Sequence, residues 1–135
     1  MHIQKFQGTE PELFILIGPL VMNPAIIRQN NNYPFKTGHN YEWYLAMDDG
    51  QVAGFIPLKR SGSTLLLDNY YIRGDEASTL GLLLKAVTQD LAADRDALFA
   101  VVHSRHVKEF TQHHFITCTE FKRYNKMQFI APDAP

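Results

Sequence analysis

The sequence has one cysteine, Cys118, in 135 residues, so no internal disulfide framework forms and a reducing compartment is permitted. Net charge is nearly absent: 13 lysines and arginines against 14 aspartates and glutamates leave −1, which gives no electrostatic footprint for nucleic acid. Arg105, Lys108, Lys122, Arg123 and Lys126 lean toward the C-terminal half, but Glu109 and Glu120 stand among them, as on a solvated surface. Long apolar runs are missing too. "MHIQKFQGTE" contains no signal-peptide core, and "LFILIGPLVM" is too short for a bilayer and is broken by Gly18-Pro19. His103, His106, His113 and His114 have no cysteine or carboxylate completing a spaced ligand set, so no metal is expected. Cys118 has no evident base beside it and is not expected to act as a nucleophile. The expectation is one cytoplasmic domain over residues 1–135, with neither membrane nor nucleic acid as partner.

What is present is an alternation of element types. His2 to Gln7 reads as a strand. Thr9 and Glu12 have capping-box spacing with Pro11 in the first turn, predicting a helix over Leu13 to Ile17 that Gly18-Pro19 ends or kinks. Asn23-Pro24 restarts a helix, and "RQNNNYPF" stops it. "YEWYLAM", the turn "DDG" and "QVAGFIPL" read as a hairpin, and Gly62-Ser63 turns the chain into a third strand, "TLLLDNYYI". Leu80, Leu83, Leu84, Val87 and Leu91 fall at helical spacing within Glu76 to Ala93. "ALFAVV" is a strand covered on both faces. "SRHVKEFTQHH" reads as a helix with Ser104 as N-cap and Val107 and Phe110 facing inward. "FITCTEF" and "YNKMQFI" close the chain as paired strands. The order β-α-α-β-β-β-α-β-α-β-β predicts an α+β fold. Tyr70 and Tyr71 must point to opposite faces of their strand.

This order resembles the GNAT N-acetyltransferase fold over nearly the whole chain: a mixed, mostly antiparallel twisted sheet flanked by helices. "YLAMDDGQVAGFIPL" is similar to the family's second and third strands, and "TLLLDNYYI" to its fourth. The ending "ALFAVVHSRHVKEFTQHHFITCTEFKRYNKMQF" resembles its last third. The resemblance implies acetyl-CoA as co-substrate, held where the fourth strand meets the next helix by Tyr71, Ile72, Arg73, Gly74, Ala77, Ser78, Thr79 and Leu80. Orphan N–H groups and the dipole at a helix N-terminus suit a pyrophosphate, and glycine lets the backbone approach it. The family pattern Arg/Gln-x-x-Gly-x-Gly/Ala is met only in part. Counting back from Leu82-Leu83 places Gly74, Ala77 and Thr79 at its key positions, and counting from Arg73-Gly74 leaves the loop short. Asp75 and Glu76 add negative charge there, and as first-turn acids they would also favour the helix start.

The resemblance further implies catalytic roles. Asp68 is the expected general base, with Glu42 the other carboxylate on a central strand. His103 falls where the family often has an asparagine, and as a histidine it is suited to a pantetheine hydrogen bond or a proton relay. The tyrosine that protonates the departing thiolate in many relatives is replaced by Phe110. Two functions follow: an acyl-CoA-dependent N-acetyltransferase acting on a small-molecule or peptide amine, or a catalytically inactive GNAT-fold module binding a ligand or protein. Phe121, Tyr124, Met127 and Phe129 give the last strands an apolar content that predicts a homodimer.

Overall fold

The computed structural model describes residues 1–91 and 96–132. β1 (His2–Gln7) leads into α1 (Pro11–Val21) and α2 (Pro24–Gln29), followed by β2 (Tyr41–Asp48), β3 (Gln51–Ser61) and β4 (Thr64–Leu67). After the two-residue β5 (Tyr71–Ile72) come α3 (Ala77–Leu91), β6 (Ala97–His103), α4 (Val107–Gln112), β7 (Phe115–Glu120) and β8 (Tyr124–Phe129). The strands form one sheet in the order β1-β2-β3-β4-β6-β8-β7, with β5 on β3. All pairings are antiparallel except β4 with β6. This is the mixed, mostly antiparallel α+β architecture that the sequence predicts, with the fourth strand split in two.

Local chemistry explains most elements. Asp49 (φ 52°) and Gly50 (φ 81°) are both left-handed, as the tightest right-twisting hairpin loop requires. Trp43, Leu45 and Met47 of β2 pack with Leu13 and Ile17 of α1, while Tyr44 and Ala46 join Leu80, Leu83 and Leu84 of α3 on the other face. Covering both faces buries five consecutive residues of this strand. Asn23 caps α2 by accepting the N–H of Ala25 at 2.9 Å.

Three local expectations are corrected. The capping box at α1 does not form: the N-cap is Glu10, without a side-chain cap bond, and the Thr9 hydroxyl donates to Gln7 Oε1 at 2.5 Å instead. α1 runs through Pro19 to Val21. The clash that proline imposes on a preceding helical residue involves its Cβ, and Gly18 has none. Ser104 opens a 3₁₀ turn, Ser104–His106, rather than capping α4, which starts at Val107 with Phe110 buried as expected. The predicted end of the leucine-rich helix, Ala92 and Ala93, lies outside the described residues.

The break between β4 and β5 shapes the rest of the molecule. Leu58 pairs with Leu67 and Phe55 with Tyr71, so three residues, Asp68 to Tyr70, stand opposite two, Ile56 and Pro57. That is a bulge: Asn69 takes a left-handed conformation (φ 52°), and Pro57 gives the ladder no donor at this level. Parallel pairing with β6 ends at Leu67 and Ala100, while β6 continues along β8 as far as His103. The sheet therefore opens between Asp68–Tyr71 and Val101–His103.

Candidate functional site: a bridged gap beside a polar cavity

One side chain spans the opening. Tyr70 is 2% exposed, and its hydroxyl accepts the backbone N–H of His103 on the opposite wall at 3.1 Å. The same oxygen is 2.7 Å from His106 Nδ1, and His106 Nε2 is 2.8 Å from Asp75 Oδ1. Arg105 joins the group, with Nε 3.0 Å from Asp75 Oδ1 and Nη2 donating to the carbonyl of Gln29 at 3.2 Å. Burial works to raise the Asp75 carboxyl, but the Arg105 guanidinium and His106 outweigh it and hold it below its ordinary value. Ionised Asp75 thus accepts from Nε2–H of a neutral imidazole, which leaves Nδ1 to accept from Tyr70. Burial, followed by the charge of Arg105, holds His103 down to about 4 and lowers His106 as well. His103 is therefore neutral near pH 7.

The turn from β5 into α3 differs from the cradle the sequence suggests. Gly74 (φ 64°) and Asp75 (φ 51°) are both left-handed within a 3₁₀ turn, Arg73–Asp75. Asp75 and Glu76 precede α3 rather than filling its first turn, and Asp75 faces Arg105 and His106. Ala77, Ser78 and Thr79 lack a carbonyl of their own helix one turn earlier, which leaves first-turn donors. The N–H of Leu80, by contrast, donates to the Glu76 carbonyl at 3.1 Å. The Thr79 side chain is buried against Gly54, where an added Cβ would lie 3.3 Å from Thr79 Cγ2. Arg73 Nη2 is 2.9 Å from Asp48 Oδ2 in an exposed ion pair. Tyr71 and Ile72 form the wall on β3, and the Tyr71 ring lies 5.6 Å from Phe55. Tyr70 belongs to the α3-side core and Tyr71 packs with the α1-side core, as the alternation predicts.

On the α2 side the opening leads to a cavity of about 310 Å³, bordered by Asn30, Asn31, Asp68, Asn69, His103 and Tyr124, with Tyr33 and Lys36 at its edge. The structure thus brings the two predicted catalytic residues, Asp68 and His103, to one cavity. Burial raises the Asp68 carboxyl, against the pull of the Lys59 and Lys36 ammonium groups. Glu42 is excluded from this group: it pairs with Lys5 at 3.5 Å, and Lys5 also binds Asp90 of α3. Phe110 is fully buried, 5.6 Å from the Tyr70 ring. The phenol in this gap therefore comes from the bulged strand and not from α4. Sequence reasoning missed Tyr70 as a bridge, with His106 as its partner and Arg105 on Asp75 behind it. "DNYY" opposite a strand proline was the available signal, since a bulge re-aims a side chain.

No protein-family model matches the sequence, and no curated protein sequence matches it. Solved structures do match. Escherichia coli ElaA superposes with a TM-score of 0.77 at 10% identity, covering 96% of this chain and all of that one. An acyl-CoA N-acyltransferase from Pseudomonas aeruginosa gives 0.70 at 11%, covering 96% of this chain and 100% of the other. Campylobacter jejuni N-acetyltransferase PseH, solved with acetyl coenzyme A, gives 0.57 at 15%, over 95% of this chain and 96% of the other. The chain has the fold of the GNAT N-acetyltransferases.

Proposed function

We propose that the protein is an acyl-CoA-dependent N-acetyltransferase, with the coenzyme in the gap between β4–β5 and β6 and a primary amine in the cavity beside Asp68. The observation that carries this reading is the opened parallel pair: β4 and β6 part after Leu67 and Ala100, and beyond them His103 and the half-buried Asp68 line one cavity. The residues suit the group. First-turn N–H groups of Ala77, Ser78 and Thr79 would receive the pyrophosphate, Gly74 would let the backbone approach, and Arg73 would exchange Asp48 for a phosphate. The walls at Tyr71, Ile72 and His103 would hold the pantetheine arm once Tyr70 swings away. Asp68 would take a proton from the ammonium. The freed amine nitrogen would then bond to the acyl carbon as the C–S bond breaks, and the nitrogen's surplus proton would pass to the departing thiolate, giving amide and thiol. The exposed thiol of Cys118 suits a reducing compartment such as the cytoplasm.

Calorimetric titration of coenzyme A and acetyl-CoA tests the reading. Wild type should bind saturably below millimolar ligand, and Arg73→Ala should weaken binding by about 1–3 kcal/mol. Its stability should hardly move, because an exposed ion pair contributes little. Absence of saturable binding near millimolar coenzyme would refute the enzyme. It would favour the second reading, a non-catalytic binding module, for which the Tyr70 bridge and buried Phe110 speak. We also propose a homodimer that covers the edge hairpin. Met127 and Phe129 are corrected as its surface, being buried or half-buried in the core, which leaves Phe121 (46% exposed), Ile116 and Ile130.

A further inference from the structure

The cavity beside Asp68 presents more unmatched polarity than an amine alone requires. Asn30 is structural: its Nδ2 donates to the carbonyl of Tyr33 at 3.0 Å and to Asn69 Oδ1 at 2.9 Å. Asn31 Nδ2 lies 3.4 Å from His103 Nδ1. Asp68, Lys36, Tyr33 and Tyr124 all line this one space, and among the described residues none of their side chains has a hydrogen bond or a close ion pair; Lys59 and Lys36 act on Asp68 only from a distance. Asp68 and Lys36 form no ion pair with each other, so one acid and one base face the same cavity without neutralising each other directly. A volume of about 310 Å³ is at the small end for ligand cavities, which suits a metabolite better than a protein tail.

We infer that this cavity takes a free α-amino acid, with its ammonium on Asp68 and its carboxylate on Lys36 and a tyrosine hydroxyl. A half-buried carboxylate with no cation in direct contact recovers lost solvation by taking one. A lysine at the rim supplies the opposite charge, and the phenols complete a carboxylate's acceptor sites. An amine without the acid group would leave Lys36 idle, and an acid without the amine would leave Asp68 unmatched. The inference deepens the acyl-transfer reading, resting on it for the fate of the amine and on the cavity alone for binding.

The test is an NMR screen of the twenty proteinogenic amino acids against the full chain without coenzyme, read at the amides of Asn31, Asp68 and Asn69. Calorimetry then compares the best binder with its carboxamide, its decarboxylated amine and its deaminated acid. At least one amino acid should bind, and each truncated analogue should be weaker by about tenfold or more, the loss of one charged contact. Lys36→Met should abolish the preference over the amine and carboxamide, and Asp68→Asn the preference over the acid. No binding by any amino acid in the millimolar range, or equal binding of the decarboxylated amine, overturns the inference. Amino-acid binding without coenzyme binding would keep the inference and refute acyl transfer. Coenzyme binding without amino-acid preference would do the reverse.

Discussion

The ring of His103 touches Tyr70, His106 and Asn31, and this setting fixes its proton affinity. An unfolded histidine binds a proton near pH 6.5. In the fold, burial and Arg105 hold His103 down to about 4, and His106 is displaced the same way. Between those values the unfolded chain binds protons that the folded chain refuses, so stability falls as pH falls from about 6.5 toward 4. Asp68, raised by burial, works in the opposite direction, so the comparison must be between variants. Urea unfolding at pH 7 and pH 4.5 should show wild type losing about 1–3 kcal/mol more than His103→Gln. Equal losses would remove this account of His103. At this scale the sequence was informative about which residue types mattered, and Asp68 and His103 do share a cavity. It was silent on Tyr70 with His106 because their meeting depends on one extra residue in a strand, and alternation cannot register that until the pairing is known.

Elements were legible where local chemistry decides them. The Asp49-Gly50 hairpin, the Asn23 cap and the leucine stripe of α3 follow from the residues themselves. α1 was misjudged because Pro19 normally stops a helix, and the relief supplied by Gly18 belongs to a pair of residues, not to either alone. Pro19 is exposed and contributes no N–H, so Pro19→Ala should restore a bond to the carbonyl of Ile15 and stabilise by up to about 3 kcal/mol. Gly54→Ala should act in reverse. Its Cβ would lie 2.8 Å from the Tyr71 carbonyl and 3.3 Å from Thr79 Cγ2, prying β3 from β5 and α3. A loss of about 1–3 kcal/mol is expected in chemical denaturation. A destabilised Pro19→Ala or a neutral Gly54→Ala would contradict these packing assignments.

The whole molecule is a single sheet between two apolar layers, and its outer edge strand, β7, is exposed along most of its length. Light scattering at high concentration should report a dimer, and a mass of 15.5 kDa alone would dismiss the homodimer. The bridge across the sheet has a further consequence, in time. While Tyr70 holds the N–H of His103, the two walls of the gap cannot separate, so a ligand entering there must wait for the phenol to leave. Apparent affinity is then reduced by the fraction of molecules already open. Association should therefore be gated: in stopped-flow mixing, the observed rate should level off as coenzyme concentration rises, at the opening rate of the bridge. Tyr70→Phe, which keeps the ring and loses the hydroxyl, should lift that plateau several-fold, at a stability cost of about 1–3 kcal/mol for the stranded N–H of His103 and Nδ1 of His106. An observed rate that rises linearly with coenzyme, at the same slope in both proteins, would mean that the gap admits its ligand with the phenol in place.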